Sequence, residues 1–237
     1  MSELERRIPQ VLDRLQLRLA YAYLASGETG EALAAFDRAA QDEPHAYEPL
    51  FMRGVLHLEA RRFEEAFLAF VRAIELAPAV PESYNNLGIV YWHQEDREAA
   101  HRCFETALRY QEFLPAATAN LGVSYLAKGM PHEALPCFEL AVRNFPNSAR
   151  AYNNLGVAFC YRGAFSDAET CFEHATRHDA QLVAPVKNLA HLYASKGLEA
   201  EAMRARAHAA TLLAHDAVDV SPFSLCLEII ARPFERA

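Results

Sequence analysis

The sequence predicts an all-α fold: a right-handed α-solenoid of six helix hairpins, followed by a C-terminal helix. Three observations support this prediction. The same residue types recur every 34 residues along most of the 237-residue chain. Ala, Leu, Glu and Arg dominate the composition, and these residues favour helix. Glycines number only 9 and no low-complexity linker separates the repeats, so neighbouring repeats are expected to stack directly.

The repeats follow one another without a gap when a 34-residue step begins at Asp13. Because each repeat can bury its apolar flank only against the next one, we predict one superhelical domain over residues 1–216. Pro9 is suited to start its first helix. The six repeats are 13–46, 47–80, 81–114, 115–148, 149–182 and 183–216.

Fixed positions within each repeat carry the residues that two packed helices need. The eighth position is Gly or Ala, and the twentieth and twenty-seventh are Ala, in all six repeats. Only small residues leave room where two helices cross closely. The twenty-fourth position is Phe in the first five repeats, and the eleventh is aromatic or His. These large side chains are expected to fill the volume around each crossing, so each repeat is predicted to be a helix hairpin.

The turns and the end of the array have their own residues. Gly27, Gly129, Gly163 and Gly197 lie where the first helix of a repeat should end, and a glycine at such a site can adopt a positive φ. Arg206 replaces the phenylalanine of the sixth repeat. A charge at a core position indicates that the stack ends there.

Residues 217–237 are predicted to form a linker and a C-terminal helix. Ser221 and Pro222 are suited to the first positions of a helix, and the apolar stretch Phe223–Ile230 follows them. Capping of the sixth repeat is the simpler interpretation of this helix. The alternative is that it docks in a groove, either of its own chain or of a neighbour. The candidate docking side chains are Phe223, Leu227 and Ile230.

Composition argues against several kinds of partner and location. The net charge is −8, with both signs spread along the chain, which argues against nucleic-acid binding. No apolar run is long enough to span a membrane and the N-terminus has no apolar signal core, so no integral membrane segment is expected. Five cysteines without paired CxxC spacing fit a reducing compartment. We therefore predict a cytoplasmic location.

The repeated pattern of Leu-Gly, Tyr, Ala, Phe, Ala and a closing Pro resembles the tetratricopeptide repeat. The resemblance covers residues 13–216. It implies a protein-binding module whose concave groove is lined by positions 2, 5, 6, 9, 12 and 13 of each repeat, called groove positions below. The chain has no phosphate-binding glycine loop, catalytic triad or HExxH motif, so neither an enzyme activity nor a cofactor is predicted.

The groove that this resemblance implies is largely apolar. The only tryptophan of the chain, Trp92, falls near its middle and is a candidate binding hot spot. A continuous apolar surface typically marks a binding site, although some of these side chains can pack between repeats instead. The predicted apolar groove residues are Leu17, Tyr21, Phe51, Val55, Ile89, Trp92, Val123, Leu126, Val157 and Tyr161.

Asparagines recur at the sixth position of four consecutive repeats. A side-chain amide both donates and accepts, so it can pair with one peptide unit of an extended chain. This ladder is similar to the one that lines the superhelix of O-linked N-acetylglucosamine transferases, where it holds extended polypeptide. The alternative is that the asparagines only join neighbouring helices. The residues are Asn86, Asn120, Asn154 and Asn188, with Asn85 and Asn153 at the fifth position.

The function predicted from these features is a non-catalytic adaptor. It would bind an extended or helical segment of a protein partner in the groove and assemble a larger complex. The alternative is a self-assembling scaffold, a homo-oligomer in which the apolar C-terminal helix docks onto a neighbouring chain. A clamp for a C-terminal carboxylate is not expected, because Arg150 and Lys187 are the only groove cations of the C-terminal half.

Two further patterns resemble redox or metal sites. Cys103, Cys137 and Cys171 share the twenty-third position of adjacent repeats. Packed helices lie on the order of 10 Å apart, which is too far for disulfides between them. His174 and His178 lie one helical turn apart, and two ligands alone make a weak metal site. Structural roles, and no metal, are predicted for these residues.

Overall fold

The computed structural model describes residues 14–215, which contain twelve α-helices and no strand. The predicted all-α fold of helix hairpins is confirmed. The predicted C-terminal helix with Phe223, Leu227 and Ile230, and Pro9 near the N-terminus, lie outside the described residues. The helices are α1 (Leu15–Ala25), α2 (Thr29–Asp42), α3 (Tyr47–Glu59), α4 (Phe63–Leu76), α5 (Pro81–His93), α6 (Arg97–Tyr110), α7 (Pro115–Ala127), α8 (Pro131–Asn144), α9 (Ala149–Tyr161), α10 (Phe165–His178), α11 (Val183–Ser195) and α12 (Glu199–His215).

The helices belong to two compact units. Unit 1 ends at Gln111 and contains α1–α6, and unit 2 begins at Glu112 and contains α7–α12. Each odd-numbered helix pairs with the helix that follows it as a hairpin. Within unit 1, α2 packs on α3 and α4 on α5; within unit 2, α8 packs on α9 and α10 on α11. Each unit is therefore a stack of three hairpins. A single superhelical domain over residues 1–216 stays a prediction.

The close helix crossings rest on the small residues at the eighth position. A Cβ built on Gly54, Gly88, Gly122 or Gly156 would lie 2.6–2.8 Å from the nearest ring carbon of the phenylalanine at the twenty-fourth position of the same repeat. All five of those phenylalanine side chains are 0% exposed. Glycine and phenylalanine thus fit together within each of these hairpins, as the sequence pattern predicts.

The turns between paired helices use a left-handed residue at the fifteenth position. The predicted glycines adopt it, with φ of 77° at Gly27 and 71° at Gly197. Repeats 2 and 3 place Arg61 (φ 56°) and Glu95 (φ 66°) at the same position. A side chain makes this conformation less favourable, so the hairpin packing must hold these two residues in it. The sequence pattern of glycines alone did not reveal these two turns.

His57 is a buried histidine at the eleventh position, where most repeats carry tyrosine. Its side chain is 7% exposed, and no hydrogen-bond partner is found for its Nδ1 atom. Burial, and after it the charges of Arg62 and Arg53, lower the pKa of His57 below the usual 6.5. Folding therefore favours the neutral imidazole. The contribution of the neutral His57 to the free energy of unfolding is fully present above about pH 6.5. It is lost as the pH falls towards the lowered pKa.

We accordingly expect the melting temperature of the wild-type chain to fall between pH 7.5 and pH 5. The variant His57→Tyr, which takes the residue of the neighbouring repeats, should lose less over the same range. Comparing the two proteins cancels the contribution of the other histidines, including His93, whose pKa is also lowered by burial. Thermal melts followed by circular dichroism test this. Parallel pH profiles for the two proteins would contradict the assignment to His57.

Candidate functional site

The groove positions of unit 1 lie on the first helix of each hairpin, α1, α3 and α5. Residues three or four apart on one helix share a face, so positions 6, 9 and 12 form a row on each of these helices. Most of this row is accessible to solvent. We call the partly or fully exposed members the unit 1 groove surface: Arg18, Tyr21, Leu24, Met52, Val55, Asn86 and Trp92.

Three predicted apolar groove residues of unit 1 contribute instead to its packing, and Asn85 is buried as well. Leu17 and Ile89 are buried, with 6% and 2% exposure. Phe51 is half-buried and its ring lies 5.9 Å from that of the core residue Phe70. Leu17 and Ile89 cannot contact a partner in this arrangement, because their side chains are enclosed by the chain itself.

Tyr21 links two neighbouring hairpins of unit 1. Its hydroxyl donates to Glu48 Oε1 at 3.0 Å, and its ring meets Phe36 edge-on at 5.4 Å. Burial, together with the hydrogen bond and the charge of Glu48, raises the pKa of Tyr21 to about 12. The side chain is nevertheless 39% exposed. Tyr21 is therefore partly accessible and is held in a defined orientation.

Trp92 is half-buried beneath a cation. The guanidinium carbon of Arg97 lies 3.8 Å from the centre of the tryptophan ring, and Arg97 Nη1 donates to the Trp92 carbonyl oxygen at 2.8 Å. A cation over an aromatic face is a favourable contact. One face of the predicted hot spot is therefore already covered, and a partner could reach the ring only beside Arg97 or by displacing it.

Most of the same positions are buried in unit 2, although His191 is exposed and Ala194 is half-buried. We call Asn120, Val123, Asn154, Val157 and Asn188 the unit 2 groove surface; none of these side chains is more than 3% exposed. Leu126 is also buried at 3%, whereas Tyr161 is half-buried. In the described structure, the predicted groove residues of unit 2 are thus far less accessible than those of unit 1.

Three asparagines of unit 2 are hydrogen-bonded, one pair across neighbouring hairpins and one pair within a helix. Asn188 Nδ2 donates to Asn153 Oδ1 at 2.9 Å, and Asn153 Nδ2 donates to Asn154 Oδ1 at 3.4 Å. In unit 1, Asn85 Nδ2 donates to Asn86 Oδ1 at 3.2 Å. Buried amides linked in this way stabilise one packing arrangement. The role of Asn153 could not be predicted from the sequence, because its bond to Asn188 depends on the register between two repeats.

The residues that resembled metal or redox sites make structural contacts or are shielded from solvent. The rings of His174 and His178 stack on Tyr152 at 5.1 and 5.5 Å. Burial raises the pKa of each of Cys103, Cys137 and Cys171 to about 11, so all three thiols remain protonated at neutral pH. Within residues 14–215, no group of three or more potential ligands could hold a metal ion.

Across the helices from Leu15 to His215, none combines the length and the apolar character that crossing a membrane requires.

Comparison with known proteins agrees with the repeat pattern. Three family models, each described as a tetratricopeptide repeat, match residues 17–81, 81–113 and 114–181. Solved structures are also similar to this chain. One is YrrB, "a TPR protein with an unusual peptide-binding site", with 24% identity and a TM-score of 0.60; the match covers 76% of this chain and 93% of YrrB. No curated protein matches the chain.

Two pilus-related proteins share the fold over more of the chain. The match to PilF of Pseudomonas aeruginosa covers 86% of this chain and 93% of PilF, with 16% identity and a TM-score of 0.71. The match to PilW, a type IV pilus biogenesis factor, covers 87% of this chain and 96% of PilW, with 17% identity and a TM-score of 0.75. At these identities the likeness concerns the fold alone.

Proposed function

The chain is a tetratricopeptide repeat protein, and we propose that it is a non-catalytic adaptor that binds a segment of a protein partner in its groove. Proteins of this family generally act as interaction modules, and the fold supports a protein-interaction role here. In this proposal the partner segment is extended or helical, the groove is its binding site, and binding assembles a larger complex. A cytoplasmic location remains the expectation from composition.

One observation carries the proposal: apolar side chains are accessible at equivalent positions of consecutive hairpins in unit 1. Tyr21, Met52 and Val55 are exposed or half-buried on neighbouring first helices. A partner that covers them removes apolar surface from water, at roughly 25 cal/mol per Å². Asn86 lies on the same row of positions and its amide can pair with a peptide group of the partner. YrrB, a fold relative, has a peptide-binding site.

The partner is expected to be a protein segment with apolar anchors. The net charge of −8 disfavours nucleic acid, because phosphates would be repelled. The unit 1 groove surface carries a single cation, Arg18, among its seven members. A segment whose apolar side chains recur at helical or extended spacing could place them along this row.

The test compares the full-length wild type with Val55→Asp and with the control variant Leu68→Asp. Leu68 is 67% exposed on α4, away from the groove positions, so both variants add the same charge at different surfaces. Each protein is immobilised and incubated with native lysate, and retained proteins are quantified by mass spectrometry. We expect one lysate protein to be retained equally by the wild type and by the control. The amount retained by Val55→Asp should be lower by about tenfold or more, as for loss of a hot spot.

The purified partner can then be titrated while the fluorescence of Trp92 is recorded, since it is the only tryptophan. Binding beside Trp92 should shift its emission. Circular dichroism establishes that both variants are folded. Equal retention of every captured protein by Val55→Asp and Leu68→Asp would show that the unit 1 groove surface does not bind the partner.

The second candidate function is a self-assembling scaffold, which the exposed outer side of α12 supports. Positions 21 and 28 are buried or half-buried in the first five repeats but exposed in the sixth, where they are Met203 and Ala210. Met203 is 66% exposed, and Leu213 nearby on α12 is 52% exposed. An apolar helix side of this kind could receive a neighbouring chain.

A further inference from the structure

A cleft lies in unit 2 on a different face of α11 from the groove positions. It has a volume of about 480 Å³ and is lined by residues of α10, α11 and α12, and small-ligand sites typically occupy roughly 300–1,000 Å³. The lining residues of α11 are Val186, Leu189 and Tyr193, at positions 4, 7 and 11 of the sixth repeat. Residues at this spacing share one face of a helix. The cleft is therefore separate from the groove.

The cleft has an apolar floor and a polar rim. Val186 and Leu189 form the floor, with 3% and 9% exposure. The rim consists of three side chains of α12, the half-buried Glu201 and the exposed Arg204 and His208. Arg204 Nη2 donates to Glu201 Oε1 at 3.0 Å. Ligand sites commonly combine an apolar lining with a few polar groups that fix the orientation of the ligand.

In the fifth repeat, an aromatic ring occupies the equivalent place. Position 4 of that repeat is Tyr152, and its ring stacks on His174 at position 26, with 5.1 Å between the ring centres and 17° between the ring planes. In the third repeat, Tyr84 at position 4 stacks in the same manner on Tyr110, at 5.4 Å. A tyrosine of the first helix thus lies against an aromatic side chain of the second helix.

The sixth repeat retains the ring of the second helix and lacks the ring of the first. Histidine holds position 26 in the fifth and sixth repeats alone, as His174 and His208. Position 4 is Tyr152 in the fifth repeat but Val186 in the sixth, and position 23 changes from cysteine in the fifth repeat to Ala205. Both changes remove side-chain volume beside His208. The cleft is therefore the space that a tyrosine ring fills one repeat earlier.

We propose that this cleft binds the side chain of a tyrosine that a protein partner presents. The ring would pack on Val186 and Leu189 and stack on His208, in the arrangement that Tyr152 and His174 adopt within the fifth repeat. Stacked aromatic rings are favourable beyond the apolar area that they bury. A single tyrosine can therefore anchor a partner segment to the outside of α10 and α12.

The rim of the cleft suits a phenol hydroxyl. A phenol both donates and accepts a hydrogen bond, and the rim offers it an acceptor in the Glu201 carboxylate and a donor in the Arg204 guanidinium. These two groups neutralise each other in an ion pair. A neutral polar group is accordingly a better match for this rim than a charged one, because a charged ligand would have to break the pair.

The test uses the full-length chain and N-acetyl-tyrosinamide as the probe, with N-acetyl-leucinamide as the matched aliphatic probe. Binding is measured by saturation-transfer NMR on the probe protons. We expect the wild type to bind the tyrosine probe with a dissociation constant on the order of 1 mM, as for a single small anchor. The leucine probe should give a signal at least about threefold weaker, because it cannot stack on the histidine ring.

The blocking variant is Val186→Tyr, which takes the residue of the third and fifth repeats. We expect it to reduce the signal of the tyrosine probe by about fivefold or more, because the new side chain fills the cleft. The second variant, His208→Ala, changes an exposed residue and should fold normally. It is expected to weaken binding of the probe about three- to tenfold through loss of stacking. Circular dichroism checks the fold of each protein.

Two control variants separate this site from other surfaces. Met203→Ala changes a 66% exposed side chain of α12 that does not line the cleft, and Val55→Asp changes the unit 1 groove surface. Both should bind the tyrosine probe as the wild type does. The proposal does not depend on the groove, so a negative result for the adaptor leaves it standing. No binding by the wild type, equal signals from the two probes, or unchanged binding by folded Val186→Tyr or His208→Ala would overturn it.

Discussion

Replacing Phe138 by alanine is expected to destabilise unit 2 by about 3–5 kcal/mol. Its side chain is 0% exposed, and it fills the space beside Gly122, where a Cβ would lie only 2.8 Å from the ring. Since Gly122 has no side chain that could move into the vacated volume, a cavity should remain between α7 and α8. A loss of this size is a large part of the roughly 5–15 kcal/mol that typically stabilises a domain.

The effect can be measured by urea denaturation followed by circular dichroism. The matched control is Phe145→Ala, also in unit 2, where the side chain is 44% exposed and its ring lies 6.5 Å from that of Phe113. We expect Phe145→Ala to lower the free energy of unfolding by less than about 1 kcal/mol. The exposed side chain contributes only a small part of the transfer free energy that full burial would give. Similar losses for the two variants would show that the buried phenylalanine does not hold the hairpin together.

The second prediction with a large effect is that Gly156→Ala destabilises unit 2, by about 1–3 kcal/mol. Alanine in place of glycine normally stabilises a helix by roughly 0.5–1 kcal/mol, so the expected sign is reversed. The reason is steric: a Cβ on Gly156 would lie 2.6 Å from the ring of Phe172. Ala20 and Ala190 hold this position in the first and last repeats. The first repeat combines Ala20 with Phe36, so its hairpin leaves room for a Cβ that the hairpin of the fifth repeat does not.

Gly30→Ala is the control for this prediction. Gly30 lies in α2, a Cβ added to it would meet no atom within 4 Å, and its φ is not positive, so alanine should stabilise the helix in the ordinary way. The double variant Gly156→Ala with Phe172→Leu should recover part of the loss, because a smaller side chain relieves the clash. A stabilising effect of Gly156→Ala in urea denaturation would contradict the close crossing.

Much of the hairpin fold could be predicted from the residue types at single positions of the repeat. Glycine at the eighth position and phenylalanine at the twenty-fourth predict a close crossing, and both residues meet there, as Gly88 and Phe104 show. Gly27 and its equivalents predict the turns for the same local reason. Arg61 and Glu95 could not be recognised in this way, because an unfavourable φ at a non-glycine residue is imposed by the packing of the two helices that the turn connects.

The candidate site was less predictable, because accessibility depends on what lies beside each helix. Position 9 carries an aromatic or β-branched residue in five repeats, and nothing in that pattern distinguishes the exposed Tyr21 from the enclosed Val157. Likewise, the cation over Trp92 and the bond between Asn188 and Asn153 join residues whose proximity depends on the hairpin turn or on the register of neighbouring repeats.

The sequence by itself therefore determined the all-α class, the helix hairpins and the residues at their crossings, because these follow from local periodicity and from the space available beside a glycine. Only the tertiary structure decided which groove side chains are accessible to solvent, because their burial depends on the residues that helix packing places beside them. The tertiary structure also assigned Asn188 and Asn153 to a hydrogen bond between hairpins, because a bond of 2.9 Å requires a defined register between helices of neighbouring repeats.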